Sequence, residues 1–233
     1  MFKKILTIAL ACIMSISLTA CSSSKEDSSN NTSSSTSTKT SIKVKTVDDF
    51  KESKGLVKYL VINNYDVAIP ETVGELSNYL EQMGTVTLND TGKNVDDVTL
   101  EAKGISSMVA YLDLETDDGS ESRIYVRYEN TTNQEISVAQ AKITRLEVKN
   151  DLYAEQEYER GLASVEAVTD AYTFKIDGKT KLTKFYDEIG GPEQETDGRL
   201  QYSDDLGYKY TFDCCNENRT GLFRGIIIEY PEK

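Results

Sequence analysis

Histidine is absent from all 233 residues, and with it go the Ser-His-Asp and Cys-His schemes of nucleophilic catalysis and the commonest zinc ligand. No phosphate-binding glycine loop and no G-x-S-x-G turn occurs either. Cysteine is scarce, with four residues of which Cys214 and Cys215 are neighbours. Adjacent Cα atoms lie about 3.8 Å apart, short of the roughly 4.4 to 6.8 Å of a disulfide, so no bridge is expected between them. The fold must then be held by its own core, and alternation along a strand puts Cys214 inward with Tyr208, Tyr210 and Phe212, as a small hydrophobe. Basic charge is in deficit: 26 Lys plus Arg stand against 39 Asp plus Glu, a net charge of −13. Such a field repels nucleic acid and other polyanions as general partners. Long apolar runs are missing too. The run from Ile5 to Leu18 falls short of the about 20 residues that a membrane-spanning helix needs.

What that run does have is the layout of a secretory signal peptide, with Lys3 and Lys4 ahead of it and small residues behind. Leu18-Thr19-Ala20-Cys21 resembles the lipobox of bacterial lipoproteins, in which a branched apolar residue, two small ones and a cysteine mark the cut. Leu18 carries the distinction, because an ordinary signal peptidase requires a small side chain three residues before its site. The resemblance implies that residues 1–20 are removed and that Cys21 is lipidated and becomes the mature N-terminus. The two acyl chains of a thioether-linked diacylglycerol give stable anchoring where one chain gives only marginal binding. The membrane is thereby an expected partner, reached through the anchor on the extracytoplasmic side. Loss of Lys3 and Lys4 would take the net charge to −15.

Residues 21–41, almost wholly Ser, Thr and Asn after the cysteine, are too polar to bury anything and read as a flexible tether. Apolar residues begin to recur at Ile42. Leu56 to Ile69 is rich in β-formers, and then comes the best helix signal: Thr72 as N-cap, Glu75 three residues on, Leu76, Tyr79, Leu80 and Met83 on one face, and Gly84 as the stop. Val98–Ala102, Ile105–Leu114, Ser122–Glu129 and Ile143–Val148 read as strands, with a turn at Asp118-Gly119. A short helix is expected at Asp151–Arg160. Beyond it, Leu182, Phe185, Tyr186 and Ile189 followed by Gly190 repeat the spacing of Leu76, Tyr79, Leu80 and Met83 followed by Gly84. Strands at Leu200–Ser203, Tyr208–Cys214 and Leu222–Tyr230 follow.

The expected fold class is therefore α+β, as two related units at 42–150 and 151–233, each a helix packed on its own antiparallel sheet, with Leu76 and Leu182 in equivalent buried places. The later stretch, with Gly190-Gly191-Pro192 after its helix, Leu200-x-Tyr202, Tyr210-x-Phe212 and Ile226-Ile227-Ile228, resembles the repeat of β-lactamase-inhibitor-like proteins and of small outer-membrane-assembly lipoproteins. That resemblance implies binding or assembly without catalysis.

Paired carboxylates such as Asp96-Asp97 and Asp204-Asp205 fall in loops, where solvated turn residues are the ordinary reading. An exported hydrolase built on them is the competing expectation. The loop Asn89–Asp97 lacks the ligand spacing of an EF-hand, and no cofactor, metal or catalytic residue is assigned. The binding residues are expected on the strand Ser122–Glu129. If Ile124, Val126 and Tyr128 face inward, Arg123, Tyr125 and Arg127 stand together on the other side, and Arg and Tyr are enriched at protein-binding hot spots. Another protein is the expected ligand of that face.

Overall fold

The computed structural model describes residues 53–106, 110–150, 161–177, 179–214 and 221–232. Cys21, the tether, the helix expected at 151–160 and Cys215 lie outside them. The described chain opens with a hairpin, β1 (Tyr59–Ile62) and β2 (Tyr65–Ala68). Its turn residues Asn63 and Asn64 both sit at positive φ, 49° and 68°. Such a turn matches the twist of the flanking strands, and asparagine adopts the left-handed region more readily than any branched residue.

Helix α1 (Val73–Leu80) follows, capped as its sequence dictates: the Glu75 N–H donates to Thr72 Oγ1 at 3.2 Å, and the Glu71 N–H to the Glu75 carboxylate at 2.7 Å. Val73, Leu76 and Leu80 form its buried stripe. The helix closes at Glu81, three residues before the glycine expected to stop it. Gly84 instead opens strand β3 (Gly84–Leu88), where a Cβ would lie 2.1 Å from the Glu115 carbonyl oxygen. Close strand approach, and no helix cap, is what requires glycine there.

The chain continues through β4 (Thr99–Leu100), β5 (Ala110–Thr116), β6 (Glu121–Glu129), β7 (Ile136–Ser137) and β8 (Lys142–Lys149). A second hairpin, β9 (Val165–Val168) and β10 (Thr173–Lys175), precedes α2 (Leu182–Ile189). Then come β11 (Gln194–Thr196), β12 (Arg199–Ser203), β13 (Lys209–Asp213) and β14 (Gly225–Glu229).

These strands make an eight-stranded sheet in the order β11-β12-β13-β14-β8-β6-β5-β3, a four-stranded sheet in the order β10-β9-β1-β2, and the small pair β4-β7. All are antiparallel. The protein is thus mostly β with two short helices, α+β in the coarse sense. The expectation of a separate sheet for each helix is corrected: β8 pairs with β14, from Arg145 opposite Glu229 to Lys149 opposite Gly225, so strands that follow α1 and strands that follow α2 share one sheet. The strand sequences explain the join. Ile226 and Ile228 face Val148 and Leu146, and all four are completely buried.

Leu182 also needs correction. It is the first residue of α2 and only half-buried, whereas Phe185 is fully buried. Counted from each helix start, Phe185 occupies the place of Leu76. It stacks on Phe174 of β10 at 4.1 Å and lies 4.7 Å from Phe212 of β13 and 5.2 Å from Phe223, so one ring ties the helix to both large sheets.

Candidate functional site

Alternation along β6 is as the sequence predicts. Ile124, Val126 and Tyr128 are buried at 0, 1 and 6 % exposure, which turns Arg123, Tyr125 and Arg127 to the other face. The three then have different surroundings. Arg123 lies opposite Asp113 on β5 and donates to its Oδ1 from Nε at 2.7 Å. Its guanidinium also sits 5.4 Å from the Tyr111 ring centre. Tyr111 and Tyr125 meet edge to face at 4.4 Å, and the Lys149 ammonium covers Tyr125 at 5.3 Å. Lys149 in turn pairs with Glu147 at 2.9 Å, and Glu147 with Arg145 at 3.3 Å. Arg123 and Tyr125 are therefore built into a lattice of alternating charges and rings that covers the outer side of the sheet.

Arg127 stands at the end of that lattice, exposed and, among the described residues, without an ion pair. Its cross-strand neighbour is Arg145, a like charge that costs stability unless something compensates it. The pairing shifts between Arg127 and Tyr128, which partner Arg145 and Ile143 and leave Thr144 as an extra residue in β8. Such a bulge bends a strand and re-aims its side chains. Here the Ile143 N–H turns to the Glu71 carbonyl at 3.0 Å, while the Thr144 carbonyl accepts from the Tyr230 N–H, also at 3.0 Å.

Beside this bulge lies a groove of about 870 Å³ across the ends of β6, β8, β14 and β13. Its cations are Arg127, Lys142, Arg145 and Lys209, and its anions Glu71, Glu129, Glu229 and Glu232. Tyr208, Tyr230 and Pro231 supply apolar wall. Tyr230 is fixed by donating its hydroxyl to the Pro70 carbonyl at 2.6 Å and by an edge-to-face contact with Tyr208 at 5.2 Å. Burial, then the neighbouring phenols and glutamates, hold the Tyr230 hydroxyl well above its ordinary pKa, so it stays neutral.

Across the four strands the register lays Arg127, Arg145, Glu229 and Lys209 in one row. Arg145 reaches Glu229 at 3.3 Å, while Lys209, like Arg127, makes no ion pair among the described residues. The sequence alone singled out Arg127 but missed Arg145 and Lys209. Alternation marks both as outward facing, yet only strand order makes them neighbours.

The carboxylate pairs that suggested hydrolysis do not converge. Asp96 and Asp97 are exposed on a single turn of 3-10 helix. Asp204 is committed to structural bonds, accepting from the N–H groups of Leu206 and Tyr208 in its own loop, from the N–H of Leu56 just before β1, and from the Tyr210 hydroxyl at 2.7 Å. Asn94 caps the turn before Asp96 and also holds Glu81. Cys214 is wholly buried behind Tyr210 and Phe212, the inward place its alternation dictates. Comparison with protein-family models, with curated proteins and with solved structures finds no match to this chain.

Proposed function

We propose that the chain is an extracytoplasmic lipoprotein, anchored through lipidated Cys21 and acting as a non-catalytic binding module for another protein. The observation that carries the binding half is the groove at the ends of the central strands, where Arg127 makes no ion pair among the described residues and faces a second arginine. An ion pair made only on binding would stabilise that juxtaposition, and a rigid sheet with ordered Tyr walls loses little entropy when it is covered. The anchoring half rests on Leu18 to Cys21 and on the short apolar run before them.

The module is two related units in this reading. Hairpin, helix and four strands of the large sheet occur in that order twice. The bridges just before each helix support the same equivalence: Thr72 meets Lys142 and Lys181 meets Leu222, and Lys142 precedes the central Glu147 of the β8–β14 pair by as many residues as Leu222 precedes Ile227. A pseudo-twofold axis through the Glu147 and Ile227 pair relates them, and the β1–β9 pair sits at the centre of the other sheet in the same way.

Two measurements test the proposal. Intact mass of the protein purified from its own membranes should show a chain that starts at Cys21 with diacylglycerol attached; a mature chain starting at an unmodified residue rules the anchor out. A photo-crosslinking residue placed at Thr144 in the groove should capture a defined protein in living cells, and one placed at the exposed Glu101 should not. Equal capture from both positions rules the groove out as the binding surface.

A further inference from the structure

We infer that the groove recognises an acidic segment of the partner, in extended conformation, whose carboxylates are four residues apart. This rests on the reading of the groove as a binding site and deepens it. The row Arg127, Arg145, Glu229, Lys209 carries three cations and one anion in a chain whose net charge is −13. Its middle is already satisfied, since Arg145 is held by Glu229 and Glu147. Its two ends are exposed cations without ion pairs among the described residues.

Strands lie about 4.8 Å apart, so three steps from β6 to β13 put Arg127 and Lys209 roughly 14 Å from each other. An extended chain advances about 3.4 Å per residue and presents alternate residues to one side. Residues i and i+4 then face the groove together at about 14 Å, one over Arg127 and one over Lys209. Residue i+2 falls between Arg145 and Glu229, where a further carboxylate would meet Glu229 and be repelled. Glu71, Glu129 and Glu232 on the groove walls oppose a uniformly acidic ligand as well. The order of charges therefore selects spacing rather than total negative charge. Tyr208 and Pro231 offer apolar surface to the intervening residues, and the guanidinium of Arg127 offers a carboxylate a two-pronged contact.

The test uses the mature protein purified from its own membranes in detergent and three fluorescent pentapeptides of Ser with two acidic or amide positions: Glu at the first and fifth, Glu at the first and second, and Gln at the first and fifth. Anisotropy at low ionic strength should show the first peptide binding about fivefold tighter than either other, with the preference shrinking as salt is raised. Arg127→Gln and Lys209→Gln should each abolish that preference, whereas Lys93→Gln, an exposed charge outside the groove, should leave it intact. Equal affinity for the two Glu peptides, or a preference that survives both groove substitutions, overturns the assignment. The crosslinking result separates this failure from that of the broader reading. A partner captured from Thr144 but indifferent to Arg127→Gln and Lys209→Gln leaves the binding module standing and removes the acidic segment. Spacing-dependent peptide binding without any captured protein supports the recognition chemistry and removes the protein partner.

Discussion

Three residues on one strand face share an orientation and differ in what holds them. Arg123 is tied to Asp113 and stacked on Tyr111, while Arg127 makes no ion pair among the described residues. Arg123→Ala should therefore lower stability by about 0.5 to 1 kcal/mol, the range for a partly exposed ion pair with a ring contact. Arg127→Ala should leave the melting temperature almost unchanged. Chemical denaturation of the two variants checks the difference, and equal losses would mean that Arg127 is architecture. Asp204 is a sharper case at this scale. Its carboxylate serves four donors, among them the hydroxyl of Tyr210, which is buried at 1 % exposure. Asp204→Ala takes away the acceptor of that hydroxyl, which the Val57 backbone also contacts, and should cost about 1 to 3 kcal/mol, read from chemical denaturation.

Among the elements, the helices show how a repeated spacing can mislead by one turn. Leu76 and Phe185 each lie three residues after the first residue of their helix and are completely buried. Leu76→Ala should cost about 2 to 5 kcal/mol and Phe185→Ala about 3 to 5 kcal/mol. Leu182→Ala, at a half-buried helix start, should cost distinctly less. The ranking is read from denaturation midpoints, and a Leu182 effect as large as that of Phe185 would contradict the equivalence of Leu76 and Phe185. Strand β3 depends on Gly84 in the same concrete way. Any side chain there meets the backbone of Glu115 and Thr116, so Gly84→Ala should push the edge strand away from β5 at about 1 to 3 kcal/mol, a cost typical of overpacking. Faster amide exchange along β3 would show where the loss falls.

For the molecule as a whole, the described residues fall within one compact unit, and one buried cluster runs from Val57 to Ile228. Leu76→Ala and Phe185→Ala, although they belong to different halves, should lower a single unfolding transition. Two separable calorimetric transitions would refute the common core. The tyrosines give this core an alkaline limit. Burial, with lesser effects of Tyr186, Cys214 and Glu195, pushes the Tyr202 phenol up to about 12, and burial with the Asp204 hydrogen bond raises Tyr210 as well. A raised folded-state pKa means that the folded protein holds these protons more tightly than the unfolded chain, whose phenols titrate near 10. The stabilisation is therefore complete below about pH 10 and is lost progressively from about pH 10 to 12. Tyrosinate absorbance should rise in two steps, exposed phenols first and the buried ones together with loss of the fold. A single step near pH 10 with the fold intact would count against the buried phenols.

The sequence by itself determined much of the local structure, because the Asp118-Gly119 turn, the Thr72 cap, the apolar stripe of α1 and the alternation of β5, β6, β8, β12, β13 and β14 are set by residues within a few positions of one another. It determined the outward direction of Arg127 for the same reason. Short strands such as β3 and β11 escaped, since three to five residues give too little period to read and Gly84 carries the same signature at a helix end as at a close strand contact. Pairing partners lie far apart in the chain, and nothing local specifies them. Whether β14 joins β12 and β13 alone or also β8 depends on burying Ile226 and Ile228 against Leu146 and Val148. That choice, made by long-range packing, decided that two helices share one sheet. The same pairing, with the Thr144 bulge beside it, brought Arg127, Arg145, Glu229 and Lys209 into one row.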